Sequence, residues 1–500
     1  MQTEIKLTLQ QSAFVDALLK TKDNICLRAR AGTGKTSTII VGVVDHYIKK
    51  FPKHKVAICA FGKAVQTEIN DKLKSLGVDW KQVQAATSHS LGFGPLRAAF
   101  KNVKVDKNKI AIIVRQQNGP DYEKFFGSIC DLVHLAKLEG FGFFDDAQVG
   151  DTHAWYKMAE HYGVNGFDNT TDMDRVVACA QHVYQVSVES TDVIDFDDMI
   201  LFPLVYNLAV MYPFDVLIVD EAQDTSRARR ALLTKFVKRN GRMVVVGDDR
   251  QAIMGFAGAS ANALDELIEE LDAEVLPLTM TWRCPKAVVR EAQKIVPDIQ
   301  AADNAAEGTV TSVDALPTEF NATDAILCRN TAPLVTTAYS LIRQGVACKV
   351  EGREIGTGLI KMIDRWKVKT VGAFVAKLED FREREVQKAI AKGKDSKVEE
   401  INDRCETLNV ICQAVQAKGL SSLDDVRAFI NSLFADDVKG VLTLCTYHRS
   451  KGREWPRVML LQHAARCPSK WAKQAWEKRQ EQNLAYVAIT RAQAELIYVS

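Results

Sequence analysis

The sequence predicts an α/β protein whose sheets are parallel and covered on both faces. Three observations carry this expectation. Short, unbroken, β-rich apolar runs recur: NICLRA (24–29), KVAICAF (55–61), FDVLIVD (214–220), RMVVVGD (242–248), DAILCRN (324–330), VLTLCTY (441–447), WPRVMLLQ (455–462) and ELIYVS (495–500). They alternate with segments of helical spacing, the pattern of strands buried on both sides rather than one. Two stretches, about 100–190 and about 356–437, lack strong strand runs and look like helical insertions into the α/β units.

Totals narrow the class. A chain of 500 residues, 47% of them apolar, exceeds one core and implies two to four globular units. Lysine and arginine number 65 against 63 acidic residues, so any nucleic-acid surface must be local. The eleven cysteines form no C-x-x-C pair or Cys/His cluster, which reads as reduced thiols in a cytosolic setting, without disulfides or a structural metal. No run approaches the roughly 18 apolar residues of a membrane span, and MQTEIKLTLQ lacks a signal-peptide profile. A cytoplasmic protein without a membrane partner is expected.

The first strand run leads into LRARAGTGKTSTII (27–40). Strand, glycine-containing turn and helix follow in immediate succession, the context a phosphate-binding loop needs. Backbone amides of Gly32, Thr33 and Gly34 would surround a β-phosphate at the positive end of the helix. Lys35 would reach the β- and γ-phosphates, and the Thr36 hydroxyl would ligate magnesium. Ala29 stands where such loops usually begin with glycine, a mild departure because its methyl is small. A tight turn before an ordinary helix is the bland alternative.

The run FDVLIVDEAQD (214–224) weighs against that alternative. It is a buried strand ending in two carboxylates. Asp220 is placed to hold Mg²⁺ through water, and Glu221 to polarise an attacking water. With this pair, the loop is expected to bind a nucleotide and hydrolyse it.

The ordered motifs resemble superfamily 1 helicases of the UvrD, PcrA and Rep type along nearly the whole chain. LTLQQ resembles the adenine-reading Q motif, with Gln11 in the recognising position; AGTGKT and VDEAQD are motifs I and II. VVVGDDRQAIMGFAGA, LTMTWRCP, LCTYHRSKGREW and QNLAYVAITRA resemble motifs III to VI, while ICAFGKAV, ATSHS and DFDDM match Ia, Ib and Id. Some forms, NLAYVAITRA, AFGK and SHS among them, are also similar to the F-box DNA helicase branch.

The resemblance implies two RecA-like lobes with ATP in the cleft between them. The first is 1–100 with 190–275, and its helical insertion is 101–189. The second is 276–355 with 438–500, and its small helical insertion is 356–437. Gln251 is assigned to sensing the γ-phosphate, and Arg283 and Arg491 to supplying positive charge to the transferring group. Trp282 takes the adenine-stacking position and Glu454 the ribose position, with Arg30, Ala31 and Gly452 along the nucleotide. A core tryptophan is the alternative for Trp282.

For single-stranded DNA and ss/ds junctions the resemblance implies Phe61, Lys63, Thr87, His89, Phe256, Arg329, Thr446 and His448. Phe61 and Phe256 would be base-stacking platforms, each worth about 1 to 3 kcal/mol; a buried core phenylalanine is the alternative for either. Three residues depart from the family pattern: Met254 replaces an aromatic, Ala257 an arginine, and Arg453 a leucine. The first two would weaken stacking or coupling, and the third would add a phosphate contact. SRARRALLTKFVKRNGR (226–242) is expected as a helix with a solvated face, DNA contact being the alternative. In SKWAKQAWEKR, Trp471 and Trp476 lie about 140° apart on a helix, so at least one should pack.

The expected function is an ATP-driven single-stranded DNA translocase and 3′ to 5′ helicase, using ATP and Mg²⁺. The alternative is a translocase that displaces bound proteins or recombinase filaments with little unwinding. A phosphate-loop kinase or regulator without DNA would not need the motif III to VI series. Ala492 lies eight residues from the last residue, Ser500, so no fused nuclease is expected. The protein is expected to be monomeric, in a bacterial or phage-infected cell, or in a nucleus if eukaryotic. Its protein partners and pathway stay open.

Overall fold

The computed structural model describes residues 7–164, 170–255, 262–366, 368–391, 395–434 and 440–500. The chain forms two compact units, Met1–Arg30 with Gly34–Leu278, and Ala31–Thr33 with Thr279–Ser500.

The first unit is built on strands β1 (Ile25–Ala29), β2 (Val56–Ala60), β3 (Val83–Thr87), β6 (Phe214–Val219), β7 (Val237–Gly247) and β8 (Glu274–Leu278). A two-residue pair, β4 (Lys104–Val105) with β5 (Val193–Ile194), stands apart from them. The main sheet runs β3-β2-β6-β7-β1-β8, and every pairing is parallel. Strand alternation divides its apolar residues between two cores. Ile25, Leu27, Ile58, Ile218 and Val244 face Phe14 and Leu18 of the helix Leu9–Lys20 on one side. Cys26, Ala57, Leu217 and Val245 face Leu204 and Leu232 on the other.

Between β3 and β6 lie the helices Lys109–Gln116, Phe126–Glu139, Thr152–His161 and Thr170–Glu189, around a core containing Trp155, Tyr184 and Phe125. The DFDDM turn anchors them. Lys137 Nζ is 2.7 Å from Asp195 Oδ2, and Lys109 Nζ is 2.7 Å from Asp198 Oδ2. All four groups are buried, so each charge depends on its partner.

The second unit holds β9 (Met280–Thr281) paired with β10 (Gln300–Ala301). Its main sheet contains β11 (Thr309–Val313), β12 (Ala325–Cys328), β13 (Cys348–Val350), β14 (Leu442–Thr446), β15 (Trp455–Leu461) and β16 (Ala492–Val499). Its order is β11-β16-β15-β12-β14-β13, again wholly parallel. The helices Arg353–Arg365, Val371–Ala391, Asp395–Gln416 and Leu423–Leu433 share one core with one face of this sheet.

Two local expectations are corrected. The basic stretch 226–242 is helical only over Arg227–Lys235; Val237 onward is strand β7, where Val237 and Val244–Val246 supply β-branched residues. The charged stretch EDFREREVQKAIAKGKDSKVEEINDR, whose alternating and nearly cancelling acids and bases read as one solvated helix, does not lie on one. Its described residues fall on two helices, each with a buried face that includes Leu378 on one and Val398 and Cys405 on the other. All eleven cysteines are free thiols.

Candidate functional site

The phosphate loop begins where β1 ends. Ala29 is fully buried in strand geometry, in register with Leu278, and Arg30 N donates to Leu278 O at 2.8 Å. The turn demands positive φ only at Gly32 (+72°) and Gly34 (+77°), conformations glycine adopts without steric cost. Alanine at 29 therefore costs the loop nothing. The helix that starts at Lys35 continues to Lys50, widening to a π-type helix over Val41–Tyr47.

Lys35 Nζ lies 2.8 Å from Glu221 Oε1. Burial lowers the basicity of Lys35, but Glu221, Asp220 and Asp248 outweigh it and hold the ammonium charged, above its ordinary range. Asp220 is buried at the end of β6; burial, then Glu221, pushes its carboxyl up to about 6. Glu221 itself adopts φ +52°, a turn that an L-residue rarely takes, and its N–H donates to Asp220 Oδ1 at 3.0 Å.

A hydrogen-bonded chain leads away from this pair. Gln223 Nε2 donates to Glu221 Oε2 at 2.5 Å, and Asp248 N donates to Gln223 Oε1 at 3.1 Å. Gln251 Nε2 then donates to Asp248 Oδ2 at 2.8 Å. Lys35, Glu221 and Gln251 are thus linked within one unit. The connector Gln223 was not singled out from sequence, although it lies inside VDEAQD. Arg30 bonds Asp248 (3.1 Å) and Asp249 (2.7 Å), so its side chain supports the loop from below. Burial works against the Asp249 charge, yet Arg30 holds that carboxyl below its ordinary range. Gln11 caps its own helix through Thr8 and donates from Nε2 to Thr38 Oγ1 at 3.0 Å, tying the Q motif to the loop helix. Thr36 and Thr33 stand in the same turn and helix start, half-buried and buried respectively.

In the second unit, Trp282 exposes 55% of its surface, unlike a core tryptophan. Arg283 Nε donates to Glu454, which also accepts from Gln493 Nε2 at 2.8 Å. Arg491 is buried. Its Nε donates to Val487 O at 2.8 Å, and its Nη1 to Arg453 O at 3.1 Å. Gly452 turns the intervening loop with φ +81°.

Of the strand-binding candidates in the first unit, Phe61 is 44% exposed, which sets it apart from core phenylalanines. Lys63 opens the next helix. The Thr87 hydroxyl caps the helix Ser88–Ala99, and His89 meets Phe196 edge-on at 6.0 Å. Burial and the charge of Arg229 hold the His89 imidazole below its ordinary range. Phe256 and Ala257 lie outside the described residues; Met254 is half-buried.

In the second unit, Thr446 ends β14 and its hydroxyl accepts from Arg449 N at 3.4 Å. His448 is half-buried, and burial, then Arg329, pushes it down to about 3. Arg329 is committed to Glu481, with Nη2 2.8 Å from Oε1. Arg453 pairs with buried Glu351. Trp471 and Trp476 are both half-buried.

Comparison with known families places these features. The UvrD/REP helicase N-terminal domain matches residues 9–272, and the UvrD-like helicase C-terminal domain matches residues 355–500. The chain belongs to the UvrD/REP helicase family. Among relatives of this UvrD/REP chain, the ATP-dependent DNA helicase PcrA of Bacillus subtilis is 26% identical over 56% of the chain and 38% of its own length. The F-box DNA helicase protein 1 of Schizosaccharomyces pombe is 23% identical over 98% of the chain and 57% of its own length. The ATP-dependent DNA helicase Rep of Escherichia coli is 24% identical over 54% of the chain and 40% of its own length. The chain therefore spans from about two fifths to somewhat over half of these relatives. Among the described residues, no helix is long and apolar enough to cross a membrane.

Proposed function

We propose that the chain is an ATP-dependent DNA helicase that translocates 3′ to 5′ on single-stranded DNA. The observation that carries this reading is the Lys35–Glu221–Gln223–Asp248–Gln251 chain at the carboxyl ends of β1, β6 and β7. It links a phosphate-binding ammonium to a water-activating carboxylate and an amide suited to sense the γ-phosphate. Membership of the UvrD/REP family supports DNA as the polymer acted on.

The roles follow from chemistry. Lys35 neutralises phosphate charge, and Glu221 orients and deprotonates the attacking water. Arg283 and Arg491, carried by the second unit, supply positive charge to the transferring phosphoryl group. Trp282 offers an exposed ring for stacking on adenine, and Gln11 is assigned to reading the base. The hydroxyl of Thr36 and the carboxylate of Asp220 are hard oxygen donors, so the residues present fit Mg²⁺, which would neutralise the phosphates when bound. The stretches 101–189 and 356–437 serve as insertions of two RecA-like lobes.

Opening a base pair costs roughly 1.4 kcal/mol of stacking per step, well within one cycle of ATP hydrolysis. The test is ATP turnover with and without a short oligonucleotide, followed by unwinding of 3′-tailed and 5′-tailed duplexes beside a protein-displacement assay. Turnover indifferent to DNA would sink the reading. Displacement without unwinding would favour the alternative of a protein-stripping translocase.

A further inference from the structure

The motif SRARR places three arginines at the start of one helix, and the fold treats them differently. Arg227 lies 2.9 Å from Asp146 and stacks over Phe144 at 3.9 Å. Arg230 is buried and pairs with Glu266 (2.7 Å) and Glu270 (3.2 Å). Arg229 packs its guanidinium 5.5 Å from the ring centre of Phe61, and among the described residues no carboxylate lies within ion-pairing distance of it. Its Nε is buried without a hydrogen-bond partner. Asp197 and Asp224 act on it only through space, and Asp197 is already bonded to His134 Nδ1 at 2.6 Å. A desolvated cation with no direct ion pair is costly, and that cost is relieved when an anion binds.

The surroundings suit one kind of anion. Phe61 and Phe196 expose 44% and 51% of their surfaces, flanking His89 and Arg229. Two helices, Lys63–Ser75 and Ser88–Ala99, start just after the carboxyl ends of the adjacent strands β2 and β3, and Arg227–Lys235 follows the carboxyl end of β6 after a turn through Ala222–Asp224. Their positive ends therefore share one edge of the sheet. Exposed rings interleaved with positive charge are what a single-stranded polynucleotide requires: stacking for bases and cations for the backbone.

Resting on the proposed function, we propose that Arg229 binds a phosphodiester of the DNA strand whose base stacks on Phe61. It acts as a backbone contact, indifferent to sequence. No interaction with the nucleotide is involved.

The test compares the full chain with its Arg229→Gln and Arg229→Lys variants, binding a short fluorescein-labelled oligothymidylate across a salt series. Losing one phosphate contact flattens the plot of log affinity against log salt by roughly 0.7 for a single strand. The wild-type advantage over Arg229→Gln then shrinks about 2.6-fold between roughly 50 and roughly 200 mM salt. Arg229→Lys keeps most of the slope, and the thermal midpoint of Arg229→Gln is unchanged or higher. An unchanged slope in Arg229→Gln, with or without a lowered midpoint, overturns the assignment and leaves Arg229 a packing residue. Wild-type protein that fails to bind the oligonucleotide overturns the proposed function along with it.

Discussion

Lys35 Nζ and Glu221 Oε1 stand 2.8 Å apart, joining the phosphate loop to the end of β6. The ammonium that should meet phosphate is held by the carboxylate that should meet water. On the proposed function, a nucleotide entering the loop would exchange this internal pair for contacts to its phosphates and release Glu221. Lys35→Ala is therefore expected to abolish DNA-stimulated ATP hydrolysis. Glu221→Gln should keep nucleotide binding while turnover falls by about 10² to 10⁴. Phosphate release and binding of a fluorescent ATP analogue check both; a Lys35→Ala protein that still hydrolyses ATP removes this site from consideration.

Arg30 bridges Asp248 and Asp249, all three buried. Arg30→Met would leave Asp249 to Arg250 and Asp248 to the more distant charge of Lys35, and breaking a buried pair from one side costs about 3 to 5 kcal/mol. Urea unfolding of the first cooperative transition reads the loss. A loss under about 1 kcal/mol would show that water reaches the pair and that its apparent burial carries little energy.

Gly92 lies inside the helix Ser88–Ala99, where an added Cβ would fall 1.8 Å from the carbonyl oxygen of Met199. Backbone on the helix Asp198–Val205 cannot yield as a flexible side chain would. Gly92→Ala should destabilise the protein by about 1 to 3 kcal/mol despite the better helix propensity of alanine. Thermal unfolding decides between the two effects, and a raised midpoint would mean the helices can separate freely.

His448 and His463 are both held neutral in the folded protein. Burial, then Arg329, pushes His448 down to about 3, and burial lowers His463 against the opposing charge of Glu291. In the unfolded chain each imidazole titrates near 6.5. Below that pH the unfolded state takes up protons that the folded state refuses, so stability falls as pH drops from about 6.5 toward each folded value. Above about 7.5 neither group contributes. Each should add up to ~1.4 kcal/mol per pH unit to the slope. His448→Gln should flatten the midpoint-against-pH curve below 6.5; a parallel curve would falsify the assignment.

The eight apolar runs named from sequence all became strands. The four further strands of the two main sheets, β3, β8, β11 and β13, escaped notice, and every one of them is a sheet edge. An edge strand is covered on fewer sides, so its residues need not form an unbroken apolar run. TVTSV in β11 and EVLPL in β8 are largely exposed and read as ordinary loop sequence. The charged stretches failed for a related reason. Their helical spacing was visible, but Val398 went unrecognised as a buried position because an isolated apolar residue among charges marks a face only once a neighbour covers it.

What the sequence determined by itself is the chemistry encoded at short range. Lys35 and Thr36 follow Gly34 directly, Asp220 and Glu221 close one strand, and backbone geometry converts those spacings into a glycine turn opening a helix and a carboxylate pair. What only the tertiary structure decided is the fate of the arginines. Arg329 finds Glu481 across 152 positions and Arg30 finds Asp249 across 219, while Arg229 packs on Phe61 without a direct ion pair. A guanidinium reads the same in any sequence window. Whether it is neutralised or left waiting for an anion depends on which carboxylates the folded chain brings within about 4 Å.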